Sequence, residues 1–121
     1  MANEAYPRSV RIRVPLEFKR LNRSGKRLFL GDLIVRYLPN DLGHPRFGLT
    51  VSRRVGNAVT RNRVKRYLRE AIRKQRKRIP GLDIVVIAKP SAKHCDSMSL
   101  RDQITELADT LVASFDTLGA E

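Results

Sequence analysis

The sequence predicts an α+β fold, a single-domain α/β sandwich of element order α-β-β-(β)-α-β-α. Three observations carry that expectation. Apolar stretches of strand length alternate with polar positions at a period of two; two longer segments place apolar residues at helical spacing; and clusters of Pro, Gly, Asn and Asp separate them. At 121 residues the chain has the length of one domain, read here as residues 15–118 behind a basic tail over residues 1–14.

The elements follow in chain order. Pro15 suits the first turn of a helix, where its missing N–H costs nothing, and Leu16, Phe18 and Leu21 give that helix its apolar side before Gly25 closes it. Residues 28–38 (LFLGDLIVRYL) read as strand, in one piece or split at Gly31 into two. Pro39, Asn40, Asp41, Gly43 and Pro45 then form a turn. In residues 46–55 (RFGLTVSRRV), Phe47, Leu49, Val51 and Val55 share one strand face, and Gly48, Thr50, Ser52 and Arg54 share the other. That second face, small and polar with a cation at its end, is either open for a ligand or simply solvated.

A helix is expected over residues 58–78, stopped by Pro80 and Gly81. Residues 82–89 (LDIVVIAK), apolar on both faces apart from Asp83 and Lys89, read as an inner strand. Residues 99–118 form an amphipathic helix through Leu100, Ile104, Leu107, Ala108, Leu111, Val112, Phe115 and Leu118, with Ser99 and Asp102 spaced as a capping box. One face of the sheet under the terminal helix is the simplest burial of these stripes.

Charge points to function. The chain carries 25 Lys and Arg against 12 Asp and Glu, a net +13. Such an excess repels itself in a compact fold, and a polyanionic partner relieves it. The excess is local: residues 53–78 hold twelve Lys and Arg with one acid, Glu70, whereas residues 96–121 hold six acids and only Arg101. On a helical wheel, Val64, Leu68, Ala71 and Ile72 fall on one side of the 58–78 helix, flanked by Tyr67. Asn62, Arg66, Arg69 and Arg73 fall opposite, with Lys65 at the edge. Guanidinium groups match phosphates and stacked bases, and the unpaired N–H groups at the helix start add to the attraction. A merely solvated helix face would mix its charges. Phe18 and Tyr37 are candidates to stack on unpaired bases, with a place in the core as the alternative for each.

Other functions find little footing. No apolar run approaches the roughly 20 residues that span a bilayer, and the start of the chain, with Arg8, Arg11 and Arg13, lacks a signal-peptide core. The single Cys95 reads as an incidental thiol, no Cys/His grouping has metal-ligand spacing, and Ser52, His44 and His94 do not make a triad. A cytoplasmic protein without its own catalytic side chains, metal site or membrane partner is expected.

Residues 56–70, GNAVTRNRVKRYLRE, resemble the central motif of the bacterial ribonuclease P protein component family. The resemblance continues through FGLTVSRRV before it and LDIVVIAKP after it, extends to PLEFKRLNRSG and LIVRYLPND, and covers residues 15–115. It implies a protein subunit that assists an RNA catalyst, dependent on magnesium ions (Mg2+) held mainly by RNA, in cutting the 5′ leader from precursor tRNA. It further implies a left-handed β-α-β crossover around the basic helix, against the usual handedness. The implied partners are the ribonuclease P catalytic RNA and precursor tRNA, with no DNA and no membrane. Carried over by position, the leader-binding set is Phe18, Tyr37, Ser52, Arg54, Lys65 and Arg69. The catalytic-RNA-binding set is Arg53, Asn57, Arg61, Asn62, Arg63 and Arg66, and no residue is catalytic. The two sets adjoin on one helix.

Two departures from the family pattern stand out. Asn22 occupies a position where the family often has a second aromatic, and the segment before Leu16 is less lysine-rich. Two other readings compete. A ribosomal or other structural RNA binder fits the charge equally well. A DNA-binding regulator would need a second short helix across a tight turn, where residues 46–55 read as strand.

Overall fold

The computed structural model describes Arg23 and residues 25–119, with the side chains of 115–119 left aside. The tail over residues 1–14, Phe18 and nearly all of the expected first helix lie outside the described residues, as do the side chains of Phe115 and Leu118.

Strand β1 (Lys26–Leu30) and strand β2 (Leu33–Pro39) form a hairpin around Gly31 and Asp32. Gly31 has φ +46°, a left-handed conformation that only glycine adopts freely, so the 28–38 stretch divides there. Strand β3 (Arg46–Thr50) follows, then helix α1 (Ala58–Gln75), strand β4 (Leu82–Ala88) and helix α2 (Ser97–Gly119). The four strands lie in the order β1-β2-β4-β3. Only β3 and β4 pair in parallel, so α1 serves as their crossover.

Residues opposite one another in register share a face, and the register divides the sheet into two surfaces. Leu28, Leu33, Val35, Tyr37, Phe47, Leu49, Ile84, Val86 and Ala88 turn toward the helices. There they join Val64, Leu68, Ala71 and Ile72 of α1 and Leu100, Ile104, Leu107, Ala108 and Leu111 of α2 in one core. The other surface carries Phe29, Ile34, Ile87 and Thr50 in one row and Arg27, Arg36, Val85 and Gly48 in the next. A small second cluster of Val85, Leu38 and Ile87 packs there. Strand β4 is therefore apolar on both faces, as an inner strand should be.

Several boundaries differ from the sequence reading. Strand β1 starts at Lys26 rather than residue 28, β2 takes in Pro39 from the expected turn, and β4 ends at Ala88 rather than residue 89. Three further shifts have a local cause. Strand β3 ends at Thr50 rather than at residue 55, because Ser52 starts a turn: its carbonyl accepts Val55 N–H at 3.0 Å and its Oγ accepts Arg54 N–H at 3.3 Å. Val51 and Val55 are buried all the same. The α-helical part of α1 stops at Gln75, and a 3-10 turn over Arg76–Arg78 finishes the segment. Ile79 is extended, the conformation a residue preceding proline favours. Helix α2 starts at Ser97 rather than residue 99, because the Asp96 carboxylate accepts Ser99 N–H at 2.8 Å and caps the helix earlier.

Candidate nucleic-acid interface

The basic surface is built around the start of α1. Asn57 caps the helix, its side-chain carbonyl accepting Thr60 N–H at 2.9 Å, while its backbone carbonyl accepts Arg61 N–H at 2.9 Å. Gly56, just before the cap, has φ +156°, and a Cβ there would stand 2.9 Å from Thr60 Cγ2. That glycine lets the chain leave the β3 turn and enter the helix at once. The first turn of α1 contains no acid to offset its positive end. Ser52, Arg53 and Arg54 are exposed in the turn that precedes it.

Along α1 the buried residues are Val64, Leu68, Ala71 and Ile72, the four assigned to the apolar side from spacing alone. Asn62, Arg66 and Arg69 are exposed, and Arg61, Arg63 and Lys65 are half-buried. The Arg66 guanidinium lies 5.4 Å from the centroid of the Tyr67 ring, a cation–π contact. Arg63 donates from Nη2 to the Lys93 carbonyl at 2.8 Å. Arg61 Nε is buried without a hydrogen-bond partner. Glu70 is engaged by Arg73, with Arg73 Nε donating to Oε2 at 3.1 Å. That hydrogen bond holds the Glu70 carboxyl below its ordinary range, so the lone acid of the helix is neutralised within one turn.

The fold thus gathers Ser52, Arg53, Arg54, Asn57, Arg61, Asn62, Arg63, Lys65, Arg66 and Arg69 on one helix and the turn leading into it. It does not bring Tyr37 to them across the sheet. Tyr37 is half-buried, opposite Ile84 in register and packed on the main core. The neighbouring Arg36 occupies the other sheet face, in the row with Gly48. Sequence reading missed Arg36, Arg27 and Phe29 on that face. The signal that finds them is strand parity counted outward from Gly31.

Chemically, the surface is suited to binding anions. Ser52 Oγ is turned to its own backbone, and His44, whose Nδ1 lies 3.2 Å from the Pro45 carbonyl oxygen, belongs to a different loop. Among the described residues no three His, Cys, Asp or Glu are grouped to hold a metal ion. No helix among them is long and apolar enough to cross a membrane.

A mixed four-stranded sheet with a cationic crossover helix defines an α+β protein with a basic, anion-attracting surface. Comparison with known proteins makes the class specific. The family model for Ribonuclease P matches residues 6–112. The Ribonuclease P protein component of Syntrophobacter fumaroxidans is 40% identical over 96 residues, covering 78% of this chain and 81% of that one. Its counterpart in Idiomarina loihiensis is 38% identical over 105 residues, covering 85% and 84%. Among solved structures, the RNase P protein of Staphylococcus aureus superposes with a TM-score of 0.78 at 29% identity, covering 84% of this chain and 94% of that one. That of Thermotoga maritima gives 0.75 at 30% identity, covering 85% and 96%. The chain belongs to the ribonuclease P protein component family.

Proposed function

We propose that this protein binds both the catalytic RNA of ribonuclease P and the 5′ leader of precursor tRNA, and so assists RNA-catalysed, magnesium-dependent removal of the leader. The observation that carries the reading is the continuous basic surface of the β3–α1 turn and α1, set on an apolar face that fixes its orientation. Arg53, Asn57, Arg61, Asn62, Arg63 and Arg66 serve the catalytic RNA, and Ser52, Arg54, Lys65 and Arg69 serve the leader together with Phe18. On β2 the leader-side position belongs to Arg36, since Tyr37 faces the core.

The division of labour follows from the chemistry. Bringing leader, tRNA body and catalytic RNA together crowds phosphates, and fixed guanidinium groups lower that repulsion and orient the strand. The magnesium ions supply metal-assisted hydrolysis when bound and belong to the RNA, because the cations of this surface repel them. A protein that acts on precursor tRNA in this way works in the cytoplasm.

Reconstitution tests the reading. The full chain with a bacterial ribonuclease P RNA and a leader-bearing precursor tRNA, at low magnesium, should cleave at the mature 5′ end only when both components are present. Absence of stimulation by folded protein, with RNA that cuts alone at high magnesium, overturns it.

A further inference from the structure

We propose that Phe29, with Arg27 beside it, forms a stacking platform for the substrate's single-stranded RNA at the β1 edge of the sheet, extending the leader path across the whole sheet face. The proposal rests on the leader-binding reading above and adds a contact outside the motif that carries it.

Phe29 is 60% exposed, the one aromatic among the large hydrophobic side chains that the described residues leave open. An exposed phenylalanine on an edge strand is a liability unless something uses it, because edges invite unwanted pairing. Its surroundings select the user. The Arg27 guanidinium lies 5.9 Å from the ring centroid, a cation and a flat apolar ring presented together, as single-strand binders present them. Arg23 and Lys26 are exposed nearby in the chain, and between Arg23 and Leu30 there is no acid. That charge is complementary to phosphate and unsuited to a basic or neutral partner.

The register gives the direction. Phe29 stands opposite Ile34, Ile34 opposite Ile87, and Ile87 opposite Thr50. Thr50 ends β3, two residues before Ser52 and four before Arg54. The row therefore runs from Phe29 to the turn assigned to the leader. The parallel row holds Arg27 directly opposite Arg36, so two cations face the same path. The carboxylate on this face, Asp83, is engaged by Arg46 and does not repel a strand. Three inter-strand spacings make a path of roughly 14 Å, the width over which a four-stranded sheet receives two or three bases.

The test uses the reconstituted holoenzyme and precursor tRNAs with a long leader or one shortened to the nucleotides beside the cleavage site. Phe29→Ala should weaken binding of the long-leader substrate by roughly 5- to 150-fold, the range of one lost base stack, and leave the short-leader substrate unchanged. Phe29→Trp should restore the long-leader affinity. The chain contains no other tryptophan, so quenching of its fluorescence by the long leader alone reports stacking directly. Wild-type affinity in Phe29→Ala, or equal loss on both substrates, overturns the platform and leaves the leader-binding reading intact. A change in self-association in place of leader affinity also overturns it and assigns the edge to contact between copies. A wild-type holoenzyme that does not distinguish the leader at all overturns the reading beneath it as well.

Discussion

Arg46 of β3 and Asp83 of β4 face each other in register, and the guanidinium closes on the carboxylate with two donors, Nε to Oδ1 at 2.8 Å and Nη2 to Oδ2 at 2.6 Å. Asn40 adds a third donor at 3.0 Å, which ties the β2–β3 loop to the same acid. Asp83 is the one buried charged residue among those described. Removing its main partner strands a carboxylate in the sheet. Arg46→Ala should cost about 3 kcal/mol, at the low end for a buried pair because the Arg46 side chain retains 20% of its exposure. Urea unfolding measures this, and the double variant with Asp83→Asn should lose less than the two single losses added together.

Asp32 and Cys95 pin the hairpin turn to the start of α2. Cys95 Sγ donates to Asp32 Oδ2 at 3.0 Å, Gln103 Nε2 donates to the same oxygen at 3.0 Å, and Asp32 N–H donates back to Gln103 Oε1 at 2.9 Å. Hydrogen bonds from Cys95 and then Ser91 hold the Asp32 carboxyl below its ordinary value. A depressed carboxyl stabilises the fold above its unfolded value, and that contribution disappears as pH falls through the folded one. Stability should therefore decline below about pH 4, with a shallower decline in Asp32→Asn. Burial, then the bond to Asp32, pushes the Cys95 thiol up. Its contribution is present below the unfolded thiol value and is lost as pH rises past about 8.5. Alkylation of Cys95 at neutral pH should be slower than for an exposed thiol and faster in Asp32→Asn.

The entry to α1 depends on two adjacent small residues. Gly56→Ala forces its Cβ to 2.9 Å from Thr60 Cγ2 and 3.0 Å from Thr60 Cβ, in a chain conformation side chains rarely adopt. Thr60 is branched and cannot swing clear, so the helix start must shift, taking Arg61 and Asn62 with it. Asn57→Ala removes the cap together with the contact assigned to Asn57 on the catalytic RNA, and should cost about 1 kcal/mol of stability. Gly56→Ala should cost more, and should also weaken catalytic-RNA binding beyond the effect of Asn57→Ala. Thermal unfolding and RNA titration on the same two variants separate the effects.

The helical half of the fold was legible because a 3.6-residue period needs no partner to define it. Val64, Leu68, Ala71 and Ile72 can be assigned from spacing, and all four are buried. The basic face was legible for the same reason. The strands were harder, since a face exists only relative to the strand's neighbours. Tyr37 and Arg36 are adjacent, and only the pairing of Lys26 with Tyr37 and of Arg27 with Arg36 around the Gly31 turn tells which one meets the core. The alternation from Phe47 to Val55 outlived the strand itself, because Ser52 bends the chain while Val51 and Val55 still find apolar neighbours. At α2 two overlapping cap patterns, Asp96 with Ser99 and Ser99 with Asp102, competed, and the acid reached the backbone first.

Leu68 and Arg69 are successive residues of α1, about 100° apart around the helix, one buried and the other exposed, and this makes them a paired test of the interface. Leu68 is fully buried, so Leu68→Ala removes core contacts and should cost about 2–5 kcal/mol of stability. Below its lowered melting temperature, its preference for leader-bearing over mature tRNA should match the wild type. Arg69 is exposed, so Arg69→Ala should leave stability within about 0.5 kcal/mol and lower affinity for the leader-bearing precursor more than for mature tRNA. If Arg69 contacts one leader phosphate, its loss should also reduce the slope of log affinity against log salt by about 0.7, the single-strand value. Equal loss on both RNAs would move Arg69 from the leader to the catalytic-RNA set. An unchanged slope would show that the side chain meets no phosphate.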